Sequence, residues 1–482
     1  MRETKMPRAF IEGCFLMDSS RIHENVDRDF DDMVSVISKI IEIPSVLDEN
    51  AISEAHPFGP RVTEALDAFL EEAKKRGFST SNIDNMAGYA EVGEGPLFGI
   101  LAHLDVMPAG ALANWRRPPF HAVVEDGRLY GRGVSDDKGP AVSALFALKA
   151  LADSGVKLNR RFRVIVGLDE ESGFRCVERY KKTEEIPVMS FSPDADFPVV
   201  NGEKGILHFF LRKKFSSIDA MGLPELVNIS GGDRFNIVPD ELDVFFRKAS
   251  AGNLELVLEP IGARVAATGN GVLVKVYGKS AHAMEPHKGE NAIQKFLSAV
   301  QNMDFGPPSL HVELLKLAAL FKNETDGASL GVACEDDISG ALTCNLAAIS
   351  LDGDMLSVKC DIRYPVKKRG DSLIEAIQNS AEEMGWELEI ARRSEPLYVD
   401  PDSELVKVLL ESYASITKEP AAPKSIGGGT YCKALPNAVS FGPLFPGDEE
   451  TAHQPNEYIS MDSLRKMTHV YAEAISRFNS SV

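Results

Sequence analysis

Residues 27–43 place Phe30, Met33, Val34, Ile37, Ile40 and Ile41 at the spacing of one helical face. Acidic residues crowd the start of this stretch, where a helix dipole favours them, and Pro44 follows its end. A second amphipathic helix is predicted over 61–76, closed by Gly77 as a C-cap. Apolar runs at 87–92 and 98–106 predict strands, and 140–154, rich in Ala and Leu, predicts a helix. Further strands are expected at 161–168 and 188–194. Strands and helices therefore alternate, with polar, chemistry-bearing residues just past the strand ends. That order describes an open α/β sheet with its chemistry at the carboxyl edge.

The pattern then changes. Between 203 and 393 the runs ILHFFLRKKF, LDVFFRKA, GVLVKVYGKS and MLSVKCDIRYP are strand-like, with helices predicted at 291–303 and 372–384. This composition predicts an α+β domain inserted into the first. From 395 the helix and strand alternation returns, and 462–478 carries an apolar stripe that predicts a closing helix. The chain shows no short-period repeat and no low-complexity tract.

A chain of 482 residues exceeds one compact domain, and 44% hydrophobic residues suffice for sizeable cores. The formal charge of −20 argues against nucleic acid or an anionic membrane as partner. Cys14, Cys176, Cys334, Cys344, Cys360 and Cys432 are scattered and form no CxxC pair, so free thiols in a reducing cytoplasm are expected. The first twenty residues have too short an apolar core for a signal peptide, and no run reaches the length of a membrane span. The pattern gives residues 1–17 no tie to the rest of the chain, and Met17 offers a second start.

Candidate chemistry centres on LFGILAHLDVMPAG and DGRLYGRGVSDDKGP. His103 and Asp105, two apart at a strand end, can share a face, so that one imidazole nitrogen binds a metal while a carboxylate holds the other. Asp136 and Asp137 follow Gly131 and Gly133, where the backbone can turn sharply. Taken singly, each candidate has an ordinary reading. His103 fits a core histidine, Asp136–Asp137 an acidic turn, and Glu170–Glu171 a solvated strand end. Asp194 fits a turn cap and His453 a surface residue. Taken together, carboxylates and two histidines past apolar runs have the composition of a two-metal site with one bridging carboxylate. Adjacent glutamates also divide naturally, one to bind metal and one to hold a water.

The segments AHLDVMP, DGRLYGRGVSDDKGP, DEESG, SPDADFPV, SAHAMEP and TAHQPNE resemble the di-metal peptidase family of carboxypeptidase G, succinyl-diaminopimelate desuccinylase, aminoacylase and carnosinase. GRGVSDDKGP, PDADFPV running into NGEKG, RFNIVPD and IGGGTYCK are similar to its bacterial dipeptidase V branch, the Xaa-His dipeptidases. The resemblance runs from about Asp27 to Phe478. It implies an α/β fold: an open mixed-sheet di-metal peptidase catalytic domain with an inserted α+β lid domain. The expected bounds are 18–202 and 395–482 for the catalytic domain and 203–394 for the lid.

The same resemblance implies roles. His103, Asp136 and Asp194 would hold one metal; Asp136, Glu171 and His453 would hold the other, with Asp136 bridging. Asp105 would orient His103, and Glu170 would be the general base. A cis peptide is implied after Asp136. His282 would reach the oxyanion from the lid, and Arg363 would bind the substrate carboxylate. Asn236 and the run Gly427, Gly428 and Gly429 would complete the carboxylate end. The implied reaction is hydrolysis of dipeptides with a free C-terminal carboxylate by a catalytically complete monomer. Zinc is the first metal expected, with manganese and cobalt as alternatives. An N-acyl amino acid or desuccinylase-type amidohydrolase is the alternative activity. A non-catalytic binding protein would have lost a ligand or the base, and all of them are present.

Overall fold

The computed structural model describes residues 8–216 and 222–481, with side chains from Ser20 onward; Cys14 and Met17 lie outside the described side chains. The chain divides into two compact units. The first comprises residues 1–201, 399–424 and 430–482, and the second residues 202–398 and 425–429. The short segment 425–429, which carries the Gly427–Gly429 run, thus belongs with the second unit rather than with the chain around it.

In the first unit, six strands of a nine-stranded sheet run in the order Ser79–Ile83, Ala87–Gly93, Arg161–Gly167, Leu97–His103, Met189–Ser192, Ala438–Ser440. The last four strands are parallel, and an antiparallel hairpin forms the edge. Leu97–His103 is buried at every position, as a central parallel strand covered on both faces must be. Its ladder with Arg161–Gly167 sets His103 opposite Gly167, so two carboxyl ends finish level. A Cβ at Gly167 would run into the Tyr431 hydroxyl, so the close approach admits only glycine.

Around this sheet the helices Arg8–Ile41, Lys138–Ala152 and Met461–Ser480 pack on one another. Lys138–Ala152 is buried along nearly its whole length, which its Ala- and Leu-rich sequence permits without an exposed polar face. Met461–Ser480 starts where the Ser460 side chain accepts the Ser463 N–H. The first helix begins well before residue 27, and the strand bearing His103 ends there rather than at residue 106. The reason is a change of partner: Leu104 N–H makes the last bond of the ladder, to Gly167 O, and Val106 N–H turns away to Ser45 O. No helix among the described residues is long and apolar enough to cross a membrane.

The second unit holds one eight-stranded antiparallel sheet. Its middle is a short seam, in which Glu225–Gly231 and Thr343–Asp352 share only the pairs Ser230–Ser350 and Gly231–Ile349. Two sub-sheets therefore meet in one layer. Ala292–Val300, Pro308–Phe321 and Gly370–Met384 supply apolar residues to the core of this unit. The helix Pro308–Phe321 and the strand Thr343–Asp352 were not foreseen. Pro308 starts that helix without a Ser, Thr, Asp or Asn cap, and the strand's inner run is buried without alternation.

Candidate metal centre

Three parallel strands end at one place in the first unit. His103 closes the strand Leu97–His103; Glu170 and Glu171 follow Arg161–Gly167; Asp194 follows Met189–Ser192. Two loops add Asp136 and His453. The Asp136–Asp137 peptide is cis, and His453 has a left-handed backbone with φ 62°.

Asp136 lies at the middle. Its Oδ1 is 3.0 Å from His103 Nε2, and its Oδ2 is 2.8 Å from His453 Nε2. The His453 Nε2 is also 3.0 Å from Glu171 Oε1, and Asp194 Oδ1 stands 4.0 Å from His103 Nε2. One ligand atom each from Asp136, Glu171 and His453 fits within a 4.8 Å cluster, and a second cluster of this size joins His103, Glu170 and Asp194. Glu170 thus stands as near to His103 and Asp194 as a ligand would. His103 Nε2 and Asp136 Oδ1 are buried and neither has a hydrogen bond, although they face one another. Two orphaned atoms of these types, aimed at one spot, suit a shared cation.

The electrostatics describe a crowd of carboxylates around two histidines. Burial pushes the Glu170 carboxyl up to about 8, reinforced by the negative charges of Glu171, Asp136 and Asp105. Burial raises Asp194 and Glu171 as well, with Asp136 adding to both. Asp136 itself is held low: burial opposes ionisation, but the two histidines beside its oxygens prevail. Burial alone would lower His453, yet Asp136 and Glu171 raise it to about 11. A site that draws protons onto its histidines and keeps protons on its carboxyls attracts positive charge, and divalent cations supply it.

Asp105 does two things. His103 Nδ1 is 3.0 Å from the main-chain carbonyl of Asp105 and 3.5 Å from its carboxylate. The carbonyl is the nearer acceptor, so the ring is oriented mainly by backbone. The carboxylate instead accepts the Glu170 N–H at 3.2 Å and the Glu171 N–H at 3.0 Å. Asp105 therefore sets the turn that presents both glutamates. Beside it, Val46, Leu47, Val106 and Met107 wall a cavity of about 350 Å³ that reaches Glu171.

Three buried charged residues escaped the sequence reading although their motifs were visible. Glu457 and Arg132 form a fully buried pair at 2.6 Å. Lys138, also buried, donates from Nζ to Ile40 O at 3.0 Å and Ile43 O at 2.6 Å, tying the end of the first helix under the Asp136 turn. Burial lowers this ammonium to about 7. Nothing in a lone Arg, Lys or Glu signals burial, since most such residues are solvated.

The remaining sequence candidates lie together in the second unit. A bridge pairs Ile237 with His282, and Ala283 N–H donates to Asn236 O at 2.9 Å, so Asn236 and His282 come from adjacent chains. Met284 packs on Gly427, whose carbonyl accepts from Arg363 Nη1 at 3.3 Å. Arg363 is nearly buried, and Asp361 already takes its Nε at 2.6 Å and Nη2 at 2.8 Å. The side of the guanidinium bearing Nε is therefore committed inside the protein. Gly427 is engaged through its carbonyl, while Gly428 is partly exposed and Gly429 exposed.

Residues 99–477 match the family described as Peptidase family M20/M25/M40. The chain belongs to this family. Among curated relatives, the Bacillus subtilis protein named "Putative dipeptidase YtjP" is 38% identical over 461 residues, 93% of this chain and 98% of its own. A Staphylococcus epidermidis protein named "Putative dipeptidase" is 34% identical, covering 92% of this chain and 96% of its own. Solved structures show the same fold. Human carnosine dipeptidase 1 superposes with TM-score 0.58 at 13% identity, over 96% of this chain and 99% of its own. The aminoacylhistidine dipeptidase of Vibrio alginolyticus gives 0.57 at 15%, over 92% and 96%.

Proposed function

We propose that this chain is a metal-dependent dipeptidase that cleaves dipeptides bearing a free C-terminal carboxylate. One observation carries the reading: the two oxygens of Asp136 face two different histidines, His103 and His453, at 3.0 and 2.8 Å. The dipeptidase names of relatives matching nearly the whole chain support the substrate class. On this reading His103, Asp136 and Asp194 hold one cation, and Asp136, Glu171 and His453 the other. Zinc suits this donor set first, and manganese or cobalt fit the same ligands. Such cations, when bound, polarise the scissile carbonyl and acidify the attacking water.

The chain's own residues do the rest. Glu170, a buried carboxyl beside His103 and Asp194, takes the proton of the attacking water and returns it to the leaving amine. Asp105 fixes the Glu170–Glu171 turn through two amide hydrogen bonds, so the base and its neighbouring ligand keep their spacing. The cavity of about 350 Å³ beside Glu171 is large enough for one side chain of a dipeptide. On the second unit, serving as a lid, His282 is assigned to the oxyanion. Arg363, with Asn236 and Gly427–Gly429, is assigned to the substrate carboxylate. The unit of activity is the monomer, so turnover per chain stays constant on dilution; a loss that tracks a dimer would contradict this. The five described cysteines are free, in keeping with a cytoplasmic protein, and recovery from the secreted fraction would contradict that placement.

The test uses chelated protein with Zn²⁺, Mn²⁺ or Co²⁺ returned, against Ala-Ala, carnosine, a tripeptide, an N-acetyl amino acid and N-succinyl-diaminopimelate. Metal-restored cleavage confined to dipeptides is expected. Cleavage confined to the acylated substrates would replace the reading with an amidohydrolase, and no turnover with any metal would defeat both.

A further inference from the structure

Glu457 has no metal to bind and no exposure to substrate, yet it collects four donors. Its Oε2 accepts from Arg132 Nη1 at 2.6 Å. Its Oε1 accepts the main-chain N–H groups of Gly133 at 3.1 Å, Ser135 at 3.0 Å and Asp136 at 3.3 Å. The Gly131 N–H adds a bond to the Glu457 carbonyl at 3.1 Å. The loop that presents Asp136 is therefore wrapped around one buried carboxylate. That carboxylate sits four positions after His453 on the other ligand loop.

Arg132 extends the tie. Its Nη2 donates to His453 O at 3.2 Å and to Pro108 O at 3.4 Å, and its guanidinium lies 5.3 Å from the Trp115 ring. Pro108 is on the loop leaving His103 and Asp105. One ion pair thus touches three of the ligand-bearing segments: 103–108, 131–137 and 453–457. Burying a charged pair is costly, and a packed apolar pair of similar volume would often serve stability as well or better. What an apolar pair cannot do is fix three amides and two carbonyls in register.

We propose that Glu457 and Arg132 are positioning residues that hold Asp136 and His453 at the spacing needed for the second cation. The inference rests on the ligand assignment above. Asp136, placed by its own N–H, bridges both cations, but His453, placed by its own carbonyl, serves only the second, while the first keeps His103 and Asp194 at strand ends. Loss of the pair should therefore weaken the second cation selectively. Partners behind a ligand typically change metal affinity by about 10–100-fold.

The experiment is a stepwise Co²⁺ titration of the metal-free full-length protein, read by visible absorption and calorimetry, with thermal melts alongside. In Glu457→Gln the side chain keeps its shape, but one of its two acceptors becomes a donor. The expected result is a first equivalent bound nearly as in wild type, a second weakened about 10–100-fold, and an altered absorption band for that second equivalent. Arg132→Lys, which keeps the charge but loses the fork to His453 O and Pro108 O, should shift the second equivalent in the same direction and serves if Glu457→Gln does not fold. Wild-type affinities and spectra for both equivalents in either folded variant would overturn the proposal. So would equal weakening of both equivalents in step with a lowered Tm, which is a general loss of structure. Wild-type protein that binds fewer than two Co²⁺ ions would instead sink the ligand assignment itself.

Discussion

At the scale of single residues, the site separates groups by what surrounds them rather than by type. Glu170 and Glu171 are neighbours in sequence, but only Glu171 reaches His453, at 3.0 Å. Glu170 lies instead with His103 and Asp194. If Glu170 is the base, Glu170→Gln lowers kcat by about 10²–10⁴-fold while the protein still binds both ions, as metal analysis would show. Loss of an ion from that variant would put Glu170 among the ligands. His282→Ala is expected to lower kcat by about 10²-fold with little change in KM, because an oxyanion exists only in the transition state. Steady-state kinetics with an unchanged kcat would remove His282 from the reaction. The ligand candidates were legible because each stands just past an apolar run or inside a glycine-rich motif. Glu457 and Arg132 were not, although both lie inside recognisable motifs. Their importance comes from burial and from main-chain partners, which spacing does not encode. The two-sided role of Asp105 was hidden for the same reason, since its carbonyl and not only its carboxylate faces His103.

At the scale of elements, long amphipathic helices and buried parallel strands were readable, and their ends were less so. Pro60–Lys75 lies within one residue at each end of its expected range because Pro opens it and Gly77 follows it. The strand to His103 was overextended because Leu104 and Val106 are as apolar as the strand, while the Val106 N–H has left the ladder for Ser45 O. Between helices, Glu72 is a place where pH should matter. Its carboxylate receives Lys39 of the first helix at 2.7 Å, Arg76 at 2.7 Å and Lys75 at 3.2 Å. Burial alone would raise it, but these partners hold it at about 2, against an ordinary 4.5. A folded pKa below the unfolded one gives stability that is present above the ordinary value and lost as pH falls towards the folded value. The lysine partners are about half exposed, so the contribution is discounted to about 1–2 kcal/mol near neutral pH. Urea unfolding of wild type and Glu72→Gln should differ by that amount at pH 6 and converge between about pH 5 and pH 2. A gap that is constant with pH would show that the ion pairs do not hold the two helices together.

At the scale of the whole molecule, the pattern shifts at residue 203 from alternating helices and strands to a strand-rich run, and the two compact units differ in their sheets. The first unit's sheet is mixed, with its parallel strands at the centre, and the second unit's is wholly antiparallel. What the pattern missed is the return of 425–429 to the second unit, because five residues are too few to carry a period. The short seam between Glu225–Gly231 and Thr343–Asp352 was equally invisible, since strand order is a long-range property. The proposed chemistry depends above all on Asp136 bridging two cations held by residues from distant parts of one unit. Anomalous diffraction from crystals of the zinc-loaded protein reads this bridge out directly. Two peaks flanking the Asp136 carboxylate are expected, one beside His103 and Asp194 and one beside His453 and Glu171. A single peak, or two peaks that leave either histidine unbound, would contradict the bridge.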